Sequence, residues 1–422
     1  MHCTVLRVSD DAPPLTGVRV LDFTMNLPGP YATMLLAAAG AEVIKIEPPR
    51  GDTARHIGRL FHLVNAGKKS VVIDLKTEQG RAALEPLVAS ADVIIEGFRP
   101  GVMAGFGLGP ETLCAEHPRL VYCSVSGFGQ DGPYREYPAH DLNLQAITGV
   151  CHMMRDGDDH PWGCALPIAD LSSALSAVAT INAALFARER TGRGRAVDVA
   201  LFDTILSWAY VWNEGLTPSD ARLSGALGPA RKWVEAQLRS TPGPVRPVLD
   251  RLAGFLGDDK TPDRLDRVGD ALKKTRRWDQ LVRLRLHALP HYGVYRTGDD
   301  QWISIGIVDE DKFWRALCEG LGLPKALASL PGGARLLAGG PLRKLVASAL
   351  RRKPLDAWMQ TFDRANVPVA AVVTLSEALR DPHVSNRVVS PAVPAPFVTA
   401  AADEVSDRGP RLGEHNTHLL GG

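Results

Sequence analysis

Residues 70–96 read SVVIDLKTEQGRAALEPLVASADVIIE, and their pattern decides the fold class. The run 70–75 has the apolar, β-branched content of a buried strand, and 91–96 repeats it. Between them, 77–91 carries helical spacing, with Thr77 placed as the N-terminal cap and Gln79-Gly80 in the first turn. Strand, helix and strand in succession make a βαβ unit. The same alternation continues outward, with strands at 18–23, 41–46 and 120–125 and a helix at 28–39 that opens on Pro28-Gly29-Pro30. Near-continuous Val/Ile runs between helices predict an α/β fold with a largely parallel, buried sheet. The turn after the first strand, Phe23 to Pro30 (FTMNLPGP), is not G-x-G-x-x-G. The architecture is therefore Rossmann-like without a dinucleotide as its default ligand.

The chain has 422 residues, enough for two or three domains, and a formal net charge of +1. That balance lacks the basic field nucleic acid requires, so an anionic ligand must be held by local Lys and Arg clusters. The six cysteines are scattered without a C-x-x-C pair and read as reduced core residues of a cytoplasmic protein. No signal peptide is expected in 1–14, and no apolar run approaches the length of a membrane span. The close histidine pairs, His287 with His291 and His415 with His418, have no third ligand nearby, so no metal is expected.

Two residues stand out for chemistry. His140 and Asp170 lie thirty residues apart, each just before a run of helical apolar spacing. Asp170 stands where an N-cap would stand, ahead of Leu171, Ala174, Leu175, Val178 and Ile181. A carboxylate and an imidazole at two helix starts can face each other across a pocket, as an acid/base pair requires. On local pattern alone, a simple helix cap and a satisfied histidine fit as well.

Beyond the helix that follows Asp170, a strand is predicted at 196–200 and a buried apolar segment at 201–212. The texture then changes. The stretch 213–290 has several prolines and alternating charges, including Lys273-Lys274-Thr275-Arg276-Arg277, and reads as a linker with a helical insertion. From His291 the pattern is β again, with 292–296 and 302–307 as a hairpin-like pair, then helices at 311–321, 342–350 and 355–365 and a strand at 367–374. The expected domains are a large one beginning at 14–212, the linker and insertion at 213–290, a small α/β domain at 291–390, and a return linker and C-terminal segment at 391–422. The Pro-rich stretch 391–396 reads as the connection back.

These stretches, in this order, resemble the class III CoA-transferase and α-methylacyl-CoA racemase family, the CaiB/BaiF type. The matching segments are 29–47 (GPYATMLLAAAGAEVIKIE), 67–76 (GKKSVVIDLK), 91–101 (ADVIIEGFRPG), 118–133 (PRLVYCSVSGFGQDGP), 191–198, 291–296, 368–382 and Gly413-Glu414-His415. The resemblance implies a large Rossmann-like domain and a small α/β domain joined by two long linkers. It also implies two chains threaded as interlocked rings in a homodimer, while the charge balance and the short apolar runs above lead to the expectation of no nucleic-acid or membrane partner.

The implied substrate is an acyl-CoA, with coenzyme A as part of the substrate and no tightly bound cofactor. Residues matching the CoA-contacting stretches are Ile73, Asp74, Leu75 and Lys76, then Gly97, Phe98 and Arg99, then Ala139, Asp141, Leu142, Asn143 and Leu144. Without the resemblance, Lys68, Lys69 and Lys76 would read as ordinary solvated lysines. Pro48 follows Glu47 where the family usually has a basic residue, and Arg50 is the nearest replacement.

In the transferase branch the aspartate matching Asp170 is a nucleophile that forms acyl-aspartyl and aspartyl-CoA intermediates. In the racemase branch it pairs with the histidine matching His140, one base on each side of the thioester α-carbon. Backbone N–H groups at the Asp170 helix start would then hold the enolate oxygen. The motif His140-Asp141-Leu142-Asn143 and its spacing to Asp170 match the racemase pattern. Leu27 replaces a transferase glutamine, and no poly-glycine loop stands between 213 and 300. Leu144 in place of an aromatic residue and Ala139 in place of a glycine depart from the racemase pattern. The acid that orients the histidine falls at Asp309 or Glu310. The expected function is an acyl-CoA racemase or epimerase; the alternatives are a CoA transferase working through Asp170 and a non-catalytic CoA-binding protein.

Overall fold

Six strands, β1 (Arg19–Phe23), β2 (Glu42–Glu47), β3 (Lys69–Val72), β4 (Val93–Glu96), β5 (Val121–Ser126) and β6 (Ala196–Ala200), form one sheet. Their order is β3-β2-β1-β4-β5-β6, and every neighbouring pair is parallel. The computed structural model describes residues 13–154, 163–213, 289–307, 310–330, 335, 338–378, 380–381 and 408–421. The described residues fall into two compact units, Met1–Ala209 with Leu379–Gly422, and Tyr210–Ala378.

Within the first unit the helices in chain order are α1 (Pro28–Ala38), α2 (Leu60–Val64), α3 (Glu78–Ala89), α4 (Val102–Gly105), α5 (Pro110–Glu116), α6 (Asp141–Ile147), α7 (Val150–Met153) and α8 (Ile168–Thr191), and α9 (Leu201–Asn213) begins in it and runs past its boundary at Ala209. One sheet face packs Val20, Val43, Val93 and Ile95 against α1 and α8. The other packs Leu21, Ile44, Ile94 and Tyr122 against Leu84, Leu87 and Leu113. Coverage on both faces is why the strands read as continuous apolar runs. Strand order reverses between β1 and β4, so the carboxyl ends of these strands open the crevice where α/β sheets bind ligands.

Local signals predicted most elements well. Thr77 caps α3, its hydroxyl accepting the Gly80 N–H at 3.0 Å. A Cβ at Gly29 would stand 2.3 Å from the Thr24 side chain, so this glycine serves close packing of α1 on the β1 turn. The strand expected at 70–75 stops at Val72, because its partner β2 ends opposite it at Glu47, where Pro48 turns the chain. Helix α8 has the length and apolar content of a membrane span, contrary to the expectation from sequence. Ala169, Ala174, Ala177 and Ile181 on it are buried in the core, which accounts for that apolarity inside the fold.

The C-terminal segment returns to the first unit and covers the free edge of β3. The His415 N–H donates to the Ser70 carbonyl at 3.0 Å, and the Val72 N–H to Asn416 Oδ1 at 2.9 Å. An open edge strand invites pairing with other chains, and this segment satisfies the edge instead. Asn416→Ala is expected to cost about 1–3 kcal/mol in urea unfolding, because it strands the Val72 N–H. An unchanged midpoint would show that water replaces the asparagine without cost.

Beneath the carboxyl ends of β1 and β2 lies a buried charge cluster. Lys68 Nζ pairs with Asp22 Oδ2 at 3.0 Å and also donates to Thr33 Oγ1, Asn65 Oδ1 and the Pro30 carbonyl. Lys45 pairs with Asp52 at 3.0 Å, and both side chains are fully enclosed. Lys68 is thus not the solvated lysine its sequence context suggests. Burial pulls its ammonium down to about 8 against the attraction of Asp22. Burial would raise the Asp22 carboxyl, but the Lys68 and Lys45 charges and bonds from Thr24 and Thr33 outweigh it and hold it well below the carboxylate range.

The second unit holds an antiparallel sheet, β7 (Tyr292–Arg296), β8 (Trp302–Gly306) and β9 (Val369–Ala371), with β8 in the middle. Helices Asp311–Gly320, Gly339–Leu350 and Leu355–Arg364 pack on it through Trp314, Leu317, Val346, Trp358 and Phe362. The hairpin-like pair was legible in sequence. The strand expected at 367–374 is shorter. The insertion predicted within 213–290 and the Pro-rich stretch 391–396 lie outside the described residues, apart from the short ends of the former.

Candidate active site

Helix α6 begins where His140 holds extended backbone, φ −120° and ψ 167°. The His140 N–H donates to Asn143 Oδ1 at 3.0 Å, and its carbonyl accepts the Asn143 N–H at 2.9 Å. Asn143 therefore sets the entry to the helix. Leu144 is fully buried in the core and anchors the same turn from below. Its side chain packs against protein, so it is a core residue and not a surface one. The His140 side chain is exposed.

Helix α8 starts at Ile168, with Pro167 as its N-cap and no side-chain cap of its own. Asp170 is the third helical residue, not the cap that its sequence position suggested. The capping carboxylate comes from another helix. Asp141 Oδ1 accepts the Ala169 N–H at 2.6 Å and the Asp170 N–H at 3.2 Å. Asp141 thus ties the residue after His140 to the turn that carries Asp170, which brings the two expected reacting groups to adjoining helix starts. Asp141 Oδ2 accepts from Gln145 Nε2 at 2.5 Å. Burial, and then the Asp141 charge, push the Asp170 carboxyl up to about 6.

A helix start offers four N–H groups without intrahelical partners. Pro167 at the N-cap has no N–H, so three remain here: the Ile168 N–H donates to the Leu166 carbonyl, while Ala169 and Asp170 serve Asp141. The first turn of α8 is therefore fully committed. The expectation that these groups hold an enolate oxygen is corrected: the tertiary cap from Asp141 has taken the two nearest Asp170.

The residues expected to meet CoA gather along the carboxyl edge of the parallel sheet. Arg50 is exposed just past β2. Ile73, Asp74, Leu75 and Lys76 follow β3; the Ile73 side chain is buried in the core and Lys76 is exposed. Gly97, Phe98 and Arg99 follow β4, where the Phe98 N–H donates to Glu96 Oε2 at 2.8 Å. Ala139, Asp141, Leu142 and Asn143 surround the α6 start, and Leu142 is 60% exposed. Arg99 and Arg135 also line a cleft of about 460 Å³ with Glu96 and Asp198. In place of a basic residue at Pro48, Arg55 grips Glu47 through Nη2 at 2.6 Å and Nε at 2.8 Å. Glu310 occupies the N-cap position of the helix Asp311–Gly320 in the second unit without a side-chain capping bond, and Asp309 lies outside the described residues. Sequence reasoning missed Gln145; the only signal was its i, i+4 spacing from Asp141, which places both on one helix face.

The chain is similar over most of its length to proteins of one known family. The sequence profile of CoA-transferase family III matches residues 15–223 and 270–416. An acetyl-CoA:oxalate CoA-transferase from Acetobacter aceti is 31% identical over 89% of this chain and 84% of its own length. An α-methylacyl-CoA racemase from Mus musculus is 29% identical over 96% of this chain and 92% of its own length. A crystal structure of a CaiB/BaiF family protein from Brucella suis superposes with a TM-score of 0.70 at 26% identity, covering 97% of this chain and 99% of that one. With a Rossmann-like parallel sheet, a smaller antiparallel sheet and this match over most of its length, the chain belongs to CoA-transferase family III.

Proposed function

We propose that this protein is an acyl-CoA racemase or epimerase that inverts the α-carbon of a 2-methylacyl-CoA-like thioester. The observation that carries the reading is the Asp141 bridge, which holds the His140 and Asp170 helix starts together. A carboxyl at about 6 is ionised at neutral pH yet basic enough to accept a proton. In the forward direction Asp170 takes the α-proton, and the C–H electron pair moves into the enolate and onto the thioester oxygen. The imidazolium of His140 then delivers its proton to the opposite face. Reversing the roles of the two groups runs the reaction the other way. Exposed Lys76, Arg99 and Arg50 supply cations for the CoA phosphates.

The test is deuterium incorporation. A 2-methylacyl-CoA incubated in D2O without an acceptor acid is expected to gain deuterium at the α-carbon. His140→Ala should slow epimerisation by about 10²–10⁴-fold. That variant should still exchange the epimer whose α-proton faces Asp170. Background exchange in the wild type, with CoA transfer to a free acid, would replace this reading with the second one.

The second reading, CoA transfer through an Asp170 acyl and thioester intermediate, is favoured by the similarity to the oxalate CoA-transferase. It predicts an Asp170 adduct trapped by hydroxylamine and little effect of His140→Ala. We also propose a homodimer located in the cytoplasm. Sedimentation at low micromolar concentration should give one species near twice 45.5 kDa, and a stable folded monomer would count against it.

A further inference from the structure

Gln145 lies one turn beyond Asp141 on α6, with 1% of its surface exposed. Its carboxamide has definite partners. Nε2 donates to Asp141 Oδ2 at 2.5 Å and reaches the Cys164 carbonyl at 3.4 Å. Oε1 accepts the Cys164 N–H at 2.7 Å. One buried side chain therefore connects the helix that follows His140, the segment that leads into α8, and the carboxylate that caps the Asp170 turn. That segment crosses α6 closely, since a Cβ at Gly163 would stand 2.6 Å from Leu142 Cδ1.

Among the described residues, burial and the Asp141 charge act on the Asp170 carboxylate, and no hydrogen bond does. Its orientation is therefore inherited from the helix turn beneath it. Asp141 fixes that turn, and Gln145 fixes Asp141. We propose that Gln145 is a positioning residue for the reaction, holding Asp141 on the first turn of α8 and Cys164 beside α6 so that the Asp170 carboxylate keeps its place relative to His140. The proposal rests on the reading of His140 and Asp170 as the reacting pair. Misplacing a reacting group by a fraction of an ångström lowers turnover more than binding, because the loss falls on the transition state.

The experiment compares the full-length wild type with Gln145→Leu, Gln145→Glu and the double variant Asp141→Asn, Gln145→Glu. Leucine fills the volume but leaves Asp141 Oδ2 and the Cys164 N–H without partners. Glutamate alone sets two carboxylates together. In the double variant donor and acceptor change places: the amide at 141 donates to the carboxylate at 145, which still accepts the Cys164 N–H, while the amide oxygen at 141 still caps α8.

Turnover is measured as α-exchange in D2O or as CoA transfer, whichever the wild type performs, with CoA affinity measured by calorimetry. Both single variants are expected to lose about tenfold or more in kcat while KM and CoA affinity stay within about threefold. The double variant should recover most of that loss relative to Gln145→Glu. Unchanged kcat in the single variants, a loss confined to KM, or a double variant no better than Gln145→Glu would each overturn the proposal. If Gln145→Leu does not fold, the comparison of Gln145→Glu with the double variant decides. If the wild type performs neither reaction, the reading of the reacting pair fails, and amide exchange at Ala169 and Asp170 judges the linkage itself. Exchange that quickens in the single variants and slows again in the double supports it; unaltered exchange sinks it.

Discussion

Asp170→Asn is expected to lower epimerisation by about 10²–10⁴-fold, the usual cost of losing a general acid or base. The substitution preserves shape and leaves the backbone N–H that donates to Asp141 in place, so the loss should appear in kcat with CoA affinity nearly unchanged. In a two-base mechanism the variant should still exchange the α-proton of the epimer that faces His140. Inversion needs both groups, whereas exchange on one face needs only one.

The pH dependence follows from the raised Asp170 carboxyl. Asp170 must be ionised to accept a proton, so the rate should fall by about tenfold per unit below about pH 6. Asp141→Asn removes the negative neighbour and should move that acidic limb downward. A wild-type rate in Asp170→Asn, or an acidic limb that stays near pH 6 in Asp141→Asn, would separate Asp170 from the chemistry assigned to it.

The second large effect concerns stability. Lys68→Met should cost about 3–5 kcal/mol in urea unfolding at pH 7, because it leaves Asp22 as a buried carboxylate without its cation. Asp22→Asn should cost a similar amount from the other side. Replacing both by apolar residues, Asp22→Leu with Lys68→Met, should cost less than the sum, since the desolvation of two charges then disappears with their attraction. Additive losses would mean that the two groups do not act as a pair.

The acid sensitivity has a definite sign. Asp22 is held below its unfolded value, so its contribution is fully present above about pH 4 and is lost as the pH falls from there through the depressed value. Asp170 is displaced the other way: the folded state binds the proton more tightly, so its share of stability declines as the pH rises from about 4 to 6. Urea melts across this range should show the Asp22 loss in Lys68-containing protein and a shallower dependence in Asp22→Asn.

How much was legible in the sequence depends on the reach of each interaction. Thr77 could be recognised as a cap because its hydroxyl needs only a backbone N–H three residues on. The strands announced themselves because burial on both faces leaves an unbroken apolar run in the chain itself. The hairpin-like pair β7 and β8 was readable because its turn residues, Gly298-Asp299-Asp300, lie between adjacent strands. The order of short motifs along the chain, from 29–47 to Gly413-Glu414-His415, was enough to identify the family.

Asp170 was misread as a cap because a carboxylate before an apolar run is the same local signal whether it caps or reacts. The actual cap, Asp141, comes from a separation of 29 residues in the chain and leaves no local trace. For the same reason the helix-start N–H groups looked available for an enolate oxygen when they are committed. Lys68 looked solvated beside Lys69, yet its ammonium meets Asp22, 46 residues away, inside the fold. The sequence by itself determined the parallel sheet and its helices, which rest on periodicity and short-range hydrogen bonding, and the family, which rests on the order of its motifs along the chain. Only the tertiary structure decided which carboxylate caps, which lysine is buried and which charge raises Asp170, because electrostatics and hydrogen bonding depend on distances in space that chain separation does not encode.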